Sequence, residues 1–148
     1  EKASAEVINH RGVPQSKSIE INTADTSRLM ELPFIGSGRA RAIVNYRNRL
    51  GGFVRKEQLL EINIIPDSVY KIICNKVTCD GLVFRWMDIN HAPADSLKHP
   101  YLTRSLARII VNYREQHSPF TSVNDLEKLP LLEAEILTKL APYLKINP

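Results

Sequence analysis

An eight-residue stretch, ARAIVNYR at 40–47, returns as ARIIVNYR at 107–114 with seven of eight residues identical. The segments around it return in the same order. INTADTSRLMELP at 21–33 recurs as INHAPADSLKHP at 89–100, GGF at 51–53 as SPF at 118–120, and QLLEINII at 58–65 as DLEKLPLL at 125–132. The interval is about 67 residues, too long for one solenoid repeat, so the chain reads as two tandem small units. The boundaries follow: an arm or linker at 1–18, a first unit at 19–80, a short bridge at 81–88, and a second, diverged unit at 89–148. Gly12 and Pro14 punctuate the arm, which shows no apolar period.

Within each unit the apolar pattern is helical. Ala40, Ile43 and Val44 fall at i, i+3 and i+4, while Arg41, Asn45 and Asn48 share the opposite, wet face. Asn22 and Thr23 are expected to cap the first helix, and Gly51 and Gly52 to end the second. Phe53 then plugs the core. A short helix runs through Leu59 and Leu60, and Pro66 and Asp67 start another that carries Val69, Tyr70 and Ile73. In the second unit Ser122 caps with Asp125 three residues on, ahead of Leu126, Leu129, Ile136 and Leu140. Each unit is thus four or five short helices joined by tight turns, and the fold class is all-α. DGLVFRWMD at 80–88 is the one stretch expected to be extended, with Trp86 covering the junction.

The composition is that of an ordinary globular chain, 43% hydrophobic and 24% charged. No apolar run reaches the ~20 residues that span a bilayer. A net charge of +4 permits an anionic partner without demanding one. Its distribution says more: between Gly36 and Lys56 stand six basic residues (Arg39, Arg41, Arg47, Arg49, Arg55, Lys56) and no acid. Cys74 and Cys79 lack the spacing of a zinc ribbon, and His10, His91, His99 and His117 are scattered, so no metal site or cofactor is expected. The two cysteines are free thiols or one small disulfide.

LPFIGSGRA at 32–40 carries the chemistry. A tight turn entering a helix exposes unpaired backbone N–H groups at the positive end of the helix dipole. Gly36 and Gly38 suggest a turn whose φ values exclude side chains, and they let a phosphate approach the backbone. Arg39 and Arg41 add charge beside it. Such contacts position a protein on nucleic acid without reading bases.

The order INTAD, LPFIGSGRA, VNYR, GGF and LLEI across residues 21–79 resembles the helix-hairpin-helix domain of the late-competence DNA receptor ComEA and its relatives. Residues 89–144 resemble a second, more diverged copy. The resemblance implies two tandem (HhH)₂ units that bind double-stranded DNA through its phosphates, regardless of sequence. It implies secretion or membrane anchoring through an N-terminal segment absent from this chain, and partners among the proteins of DNA uptake or the envelope. It implies no small-molecule substrate. Carried over residue by residue, the DNA-facing set is Gly36, Ser37, Gly38, Arg39 and Arg41, with Thr103, Arg104, Ser105 and Arg108 as weaker counterparts.

The departures are specific. Phe34 stands where the family places its first glycine, and either closes the hairpin surface or presents an apolar tip. EINIIPDS at 61–68 and YLTRS at 101–105 lack glycine, and PLLEAE at 130–135 is acidic. The rival expectation is a protein-interaction or structural module that has lost most DNA contact. Catalysis is not expected, because no nucleophile–base–acid set is present.

Overall fold

The structure, a computed structural model, describes residues 17–147. Most of the expected arm therefore lies outside the described residues. The elements run β1 (Ile19–Glu20), α1 (Thr26–Leu29), α2 (Ser37–Leu50), a 3₁₀ helix at Lys56–Glu61, α3 (Asp67–Ile73), β2 (Val77–Thr78) and β3 (Met87–Asp88). A 3₁₀ turn at Ala94–Ser96, α4 (Arg104–Gln116), a 3₁₀ helix at Val123–Lys128, α5 (Ala134–Leu140), a 3₁₀ turn at Ala141–Tyr143 and β4 (Leu144–Lys145) complete the chain. Helix dominates, as the apolar period implied.

The apolar stripes build the core. Ala40, Ile43 and Leu50 of α2 are buried, as are Leu106, Ala107 and Ile110 of α4. Phe53 and Phe120 sit at the equivalent centres of the two units, 0% and 1% exposed. Pro66 precedes α3, and Ser122 with Asp125 forms a reciprocal cap on the 3₁₀ helix at Val123–Lys128, both as expected.

The cap expected of Asn22 and Thr23 is not made. Asp25 caps α1 instead, accepting from the Arg28 amide at 2.8 Å. Asn22 has a longer reach: its Oδ1 accepts from the Phe53 amide at 2.7 Å and its Nδ2 donates to the Phe53 carbonyl at 2.8 Å. Asn90 makes the same pair with Phe120, at 2.7 and 2.8 Å. The repeated Ile-Asn pins each plug residue in place.

The repeated arginine of VNYR is likewise structural. Arg47 Nη1 donates to the carbonyls of Ile21 at 3.0 Å and Ala24 at 2.6 Å, and burial lowers its pKa. Arg114 Nη1 donates to Ile89 at 2.9 Å, its counterpart. Charged hydrogen bonds of this kind contribute about 1.5–3 kcal/mol, so Arg47→Met should lower unfolding free energy by about 2 kcal/mol. A urea midpoint that does not move would show that the clamp adds nothing.

Two-residue parallel ladders, which periodicity does not reveal, close each unit: Ile19 pairs with Val77, and Met87 with Leu144. Of the stretch expected to be extended only Met87–Asp88 forms a strand, and Trp86 does not cover the junction but is 52% exposed. The junction is filled by polar and aromatic groups. Gln58, 1% exposed, donates from Nε2 to the hydroxyls of Tyr101 at 2.8 Å and Tyr143 at 2.9 Å. Tyr143 in turn donates to the Gly52 carbonyl at 2.7 Å. Glu61 accepts from Tyr46 and from Tyr101, each at 2.6 Å. Burial, and then the bond to Glu61, raise the pKa of both tyrosines, so these hydroxyls remain donors.

Gly51 caps α2 in the left-handed region at φ 89°, as the sequence indicates. It also has a second role. A Cβ there would lie 2.5 Å from the Arg85 carbonyl oxygen, and one at Gly52 would lie 2.7 Å from that of Leu82. The bridge packs directly on these bare glycines.

Candidate nucleic-acid interface

Four hairpin turns share one plan: a buried residue, two residues at the turn, a second buried residue, then the cap of the next helix. The buried pairs are Leu32 and Ile35, Ile62 and Ile65, His99 and Leu102, and Leu129 and Leu132. The third residue of the first turn, Phe34, is left-handed at φ 64° and 64% exposed; Leu131 of the fourth is left-handed at φ 66° and 76% exposed. Phe34 therefore presents an apolar tip, and the position that would favour glycine is 34.

Gly36 and Gly38 do not hold the conformation expected of them. Gly36 is extended at φ −90°, which any residue adopts, and neither glycine has positive φ. A Cβ at either position meets nothing within 4 Å. The turn's geometry does not exclude a side chain at these two positions.

What the glycines leave is bare backbone at a helix start. No side chain caps α2, and the Ala40 amide is the first to return into the helix, onto the Gly36 carbonyl at 2.9 Å. The amides of Ser37, Gly38 and Arg39 thus face outward at the positive end of a 14-residue helix. α4 differs: Thr103 Oγ1 accepts from the Leu106 amide at 3.1 Å, so this helix satisfies one of its own donors. Arg104, Ser105 and Arg108 are exposed on its first turns.

The six-base stretch divides between fold and surface. Arg39 Nε donates to the Ile64 carbonyl at 2.7 Å and Nη1 to that of Phe34 at 2.9 Å, tying the two hairpins of the first unit together. Arg47 clamps the first loop, and Lys56 Nζ donates to the Cys74 carbonyl at 2.8 Å. Arg41, Arg49 and Arg55 are exposed. Arg41 turns back along α2, its Nε 3.4 Å from the Ser37 carbonyl, and so lies beside the bare turn.

Sequence reasoning missed a second basic surface. An open cleft of about 950 Å³ lies between the units, lined by Arg49, Arg85, Lys98 and Arg104 with Asp95 and His99. Arg85 and Lys98 stand far from the run that drew attention, and only the fold brings them to Arg49. Cys74 and Cys79 are free thiols, and no group of metal-ligating side chains occurs among the described residues.

This architecture, two pairs of hairpins with an uncapped first turn, defines a helix-hairpin-helix protein. The family described as "Helix-hairpin-helix motif" matches residues 14–78 and 85–145, and the chain belongs to it. Among curated proteins it is similar to the endonuclease/exonuclease/phosphatase family domain-containing protein 1 of Danio rerio, 27% identical over 144 residues, and of Homo sapiens, 28% identical over 153. Both alignments cover 82% of this chain but only 26% and 27% of those proteins, so the chain spans about a quarter of their length. An uncharacterized protein of Haemophilus influenzae is 46% identical over 48 residues, 32% of this chain and 43% of that one. No solved structure matches.

Proposed function

We propose that this chain is a non-catalytic module that holds double-stranded DNA by its phosphate backbone, without reading sequence. The backbone amides of Ser37, Gly38 and Arg39 receive a phosphate at the Gly36 turn, and Arg41 adds charge beside it. Thr103, Arg104, Ser105 and Arg108 supply a weaker second contact. A role in DNA uptake of the ComEA kind follows from the resemblance. In longer relatives the same module would deliver DNA to the remainder of the protein.

One observation carries the reading. Gly36 and Gly38 are bare where neither backbone conformation nor neighbouring atoms demand it. The demand then comes from outside the chain, and a phosphate oxygen seated on helix amides is a group that any Cβ would push away.

The open space supplies the test. The double variant Gly36→Val/Gly38→Val should keep its circular dichroism and melting temperature, and bind a 20-base-pair duplex about tenfold more weakly or worse. In the unmodified protein, log affinity should fall linearly with log salt, at a slope of about 0.9 per phosphate neutralised. Duplex affinity unaltered by the double change would overturn the reading.

A second reading, a protein-interaction module, has its own observation. Arg39 holds the exposed tips Phe34 and Ile64 together, 64% and 48% exposed, as one apolar point. Phe34→Ser/Ile64→Ser separates the two readings: it removes a protein contact and leaves a phosphate contact largely in place.

A further inference from the structure

We propose that the cleft between the two units is a second phosphate-binding site, separate from the Gly36 turn and built from residues of both units. Arg49 comes from the end of α2, Arg85 from the bridge, Lys98 from the turn ahead of the third hairpin, and Arg104 from the first position of α4. Four cations face one carboxylate, Asp95. Like charges crowded around a cavity repel one another, and a bound anion relieves that repulsion.

Two of the cations are already oriented. Arg85 Nη2 donates to the carbonyls of Asn48 at 2.8 Å and Arg49 at 2.6 Å, at the negative end of the α2 dipole. Its Nη1 and Nε remain available. Arg49 lies over the Tyr46 ring, 5.9 Å from the centroid. Side chains held in place before binding lose less rotamer entropy when a ligand arrives. Lys98 and Arg104 are exposed, with no ion-pair partner among the described residues.

His99 is 8% exposed, its Nδ1 accepting from the Tyr101 amide at 3.1 Å and its ring set against the Leu50 backbone. Its ring lines a cavity in which four of the six other polar side chains are cationic, Asn48 and Asp95 being the exceptions.

The ligand is a phosphate group, and the span favours one carried on a nucleic-acid strand. Ser37 and Asn48 mark the two ends of the contact along α2, about 16 Å apart at 1.5 Å per residue. That is the axial rise of roughly five base pairs at 3.4 Å each, for a duplex lying along α2. One DNA molecule can therefore occupy the turn and the cleft together, with Arg104 adding its charge from the second unit. The cleft does not depend on the turn: it holds phosphate whether or not Gly36 does.

The test uses the full chain labelled with ¹⁵N. Three probes are titrated: inorganic phosphate, a 20-base-pair duplex, and a single strand with and without a 5′-phosphate. The amides of residues 98–104 and 85 should shift with duplex and, at millimolar concentration, with inorganic phosphate. Lys98→Glu/Arg104→Glu should retain the melting temperature and weaken duplex binding five- to tenfold, with a shallower salt slope. Lys98→Ala/Arg104→Ala gives the same direction should charge reversal disturb folding. A shift that requires the 5′-phosphate assigns the site to strand ends. A shift with inorganic phosphate but unaltered DNA affinity in both variants keeps the site and assigns it to free phosphate compounds. Loss of DNA binding in the Gly36/Gly38 double variant, with phosphate shifts retained at 98–104, supports two independent sites. No shift at these amides with any probe overturns the proposal.

Discussion

Gln58→Leu is expected to lower the unfolding free energy by about 4 kcal/mol. The side chain is 1% exposed and close in size to leucine, so the loss comes from unpaired polar groups rather than from a cavity. Oε1 accepts from the amides of Val54 at 2.7 Å and Arg55 at 3.2 Å. Nε2 donates to the hydroxyls of Tyr101 and Tyr143, whose own protons go to Glu61 and to the Gly52 carbonyl. Every donor therefore has an acceptor, and each tyrosine both gives and receives. Leucine would strand two amides and leave two hydroxyl oxygens without their incoming bond. Each orphaned buried group costs about 1–3 kcal/mol, partly offset by the apolar replacement.

The same network joins the units, since Val54 and Glu61 belong to one and Tyr101 and Tyr143 to the other. Removing Gln58 should therefore also make urea unfolding less cooperative, with a shallower or two-step transition. Tyr101→Phe, combined with Gln58→Leu, should cost less than the sum of the two, because they share a bond. A loss below about 1 kcal/mol with a single unaltered transition would show that the network does not bind the units together.

Sequence carried the repeat because a core helix must repeat its apolar stripe, and ARAIVNYR and ARIIVNYR do so with the same clamp arginine at the end. It carried Gly51, Phe53, Pro66 and Ser122 for the same reason: caps and plugs act over a few residues, and their signals are local. Asn22 departs from its local signal: asparagine ahead of a helix suggests a cap, but its partner Phe53 lies 31 residues away. Gln58 gave no sign at all. A glutamine in a short helix is ordinarily a solvated residue, and only the docking of Tyr101 and Tyr143 buries it. The parallel ladders are two residues long, too short for alternation to show.

At the candidate interface the structure gives several residues a different physical reason from the one the sequence suggests. Glycine suggests unusual φ, yet the unusual φ belongs to Phe34, where a bulky residue accepts a left-handed conformation at about 1–2 kcal/mol. Arginine in the first turn suggests an outward cation, yet Arg39 divides its donors between two hairpin carbonyls. The cleft was invisible because its four cations come from four separate segments, and no window of sequence contains them together.

Acid should destabilise this protein through His99, by about 3 kcal/mol between pH 6.5 and 4. The other hairpins place Leu32, Ile62 and Leu129 at this position; the third places a histidine, its ring 4.4 Å from that of Tyr143 and 5.0 Å from that of Tyr101. Burial is the main reason its pKa falls to about 4; the hydrogen bond to the Leu50 backbone opposes it, and the nearby charges of Arg85 and Arg49 add to the fall. The folded value thus lies below the unfolded one of about 6.5, so the unfolded chain takes up the proton first as pH falls. The stability present above pH 6.5 is lost progressively toward pH 4, then levels off.

Asp80 and Asp125 respond in a different window. Backbone amides of Leu82 and Thr121 hold their carboxyls below the usual range, so what they contribute is lost only below about pH 4. His99→Leu isolates the histidine. It removes the Nδ1 acceptor of the Tyr101 amide, at 3.1 Å, so it should cost about 1 kcal/mol at pH 7. Between pH 6.5 and 4, however, its stability should stay nearly flat while that of the unmodified protein falls, and the two curves should cross. Urea melts at half-unit pH steps would show the crossing. Parallel curves would mean that His99 is protonated without cost, and that its burial does not control the acid response.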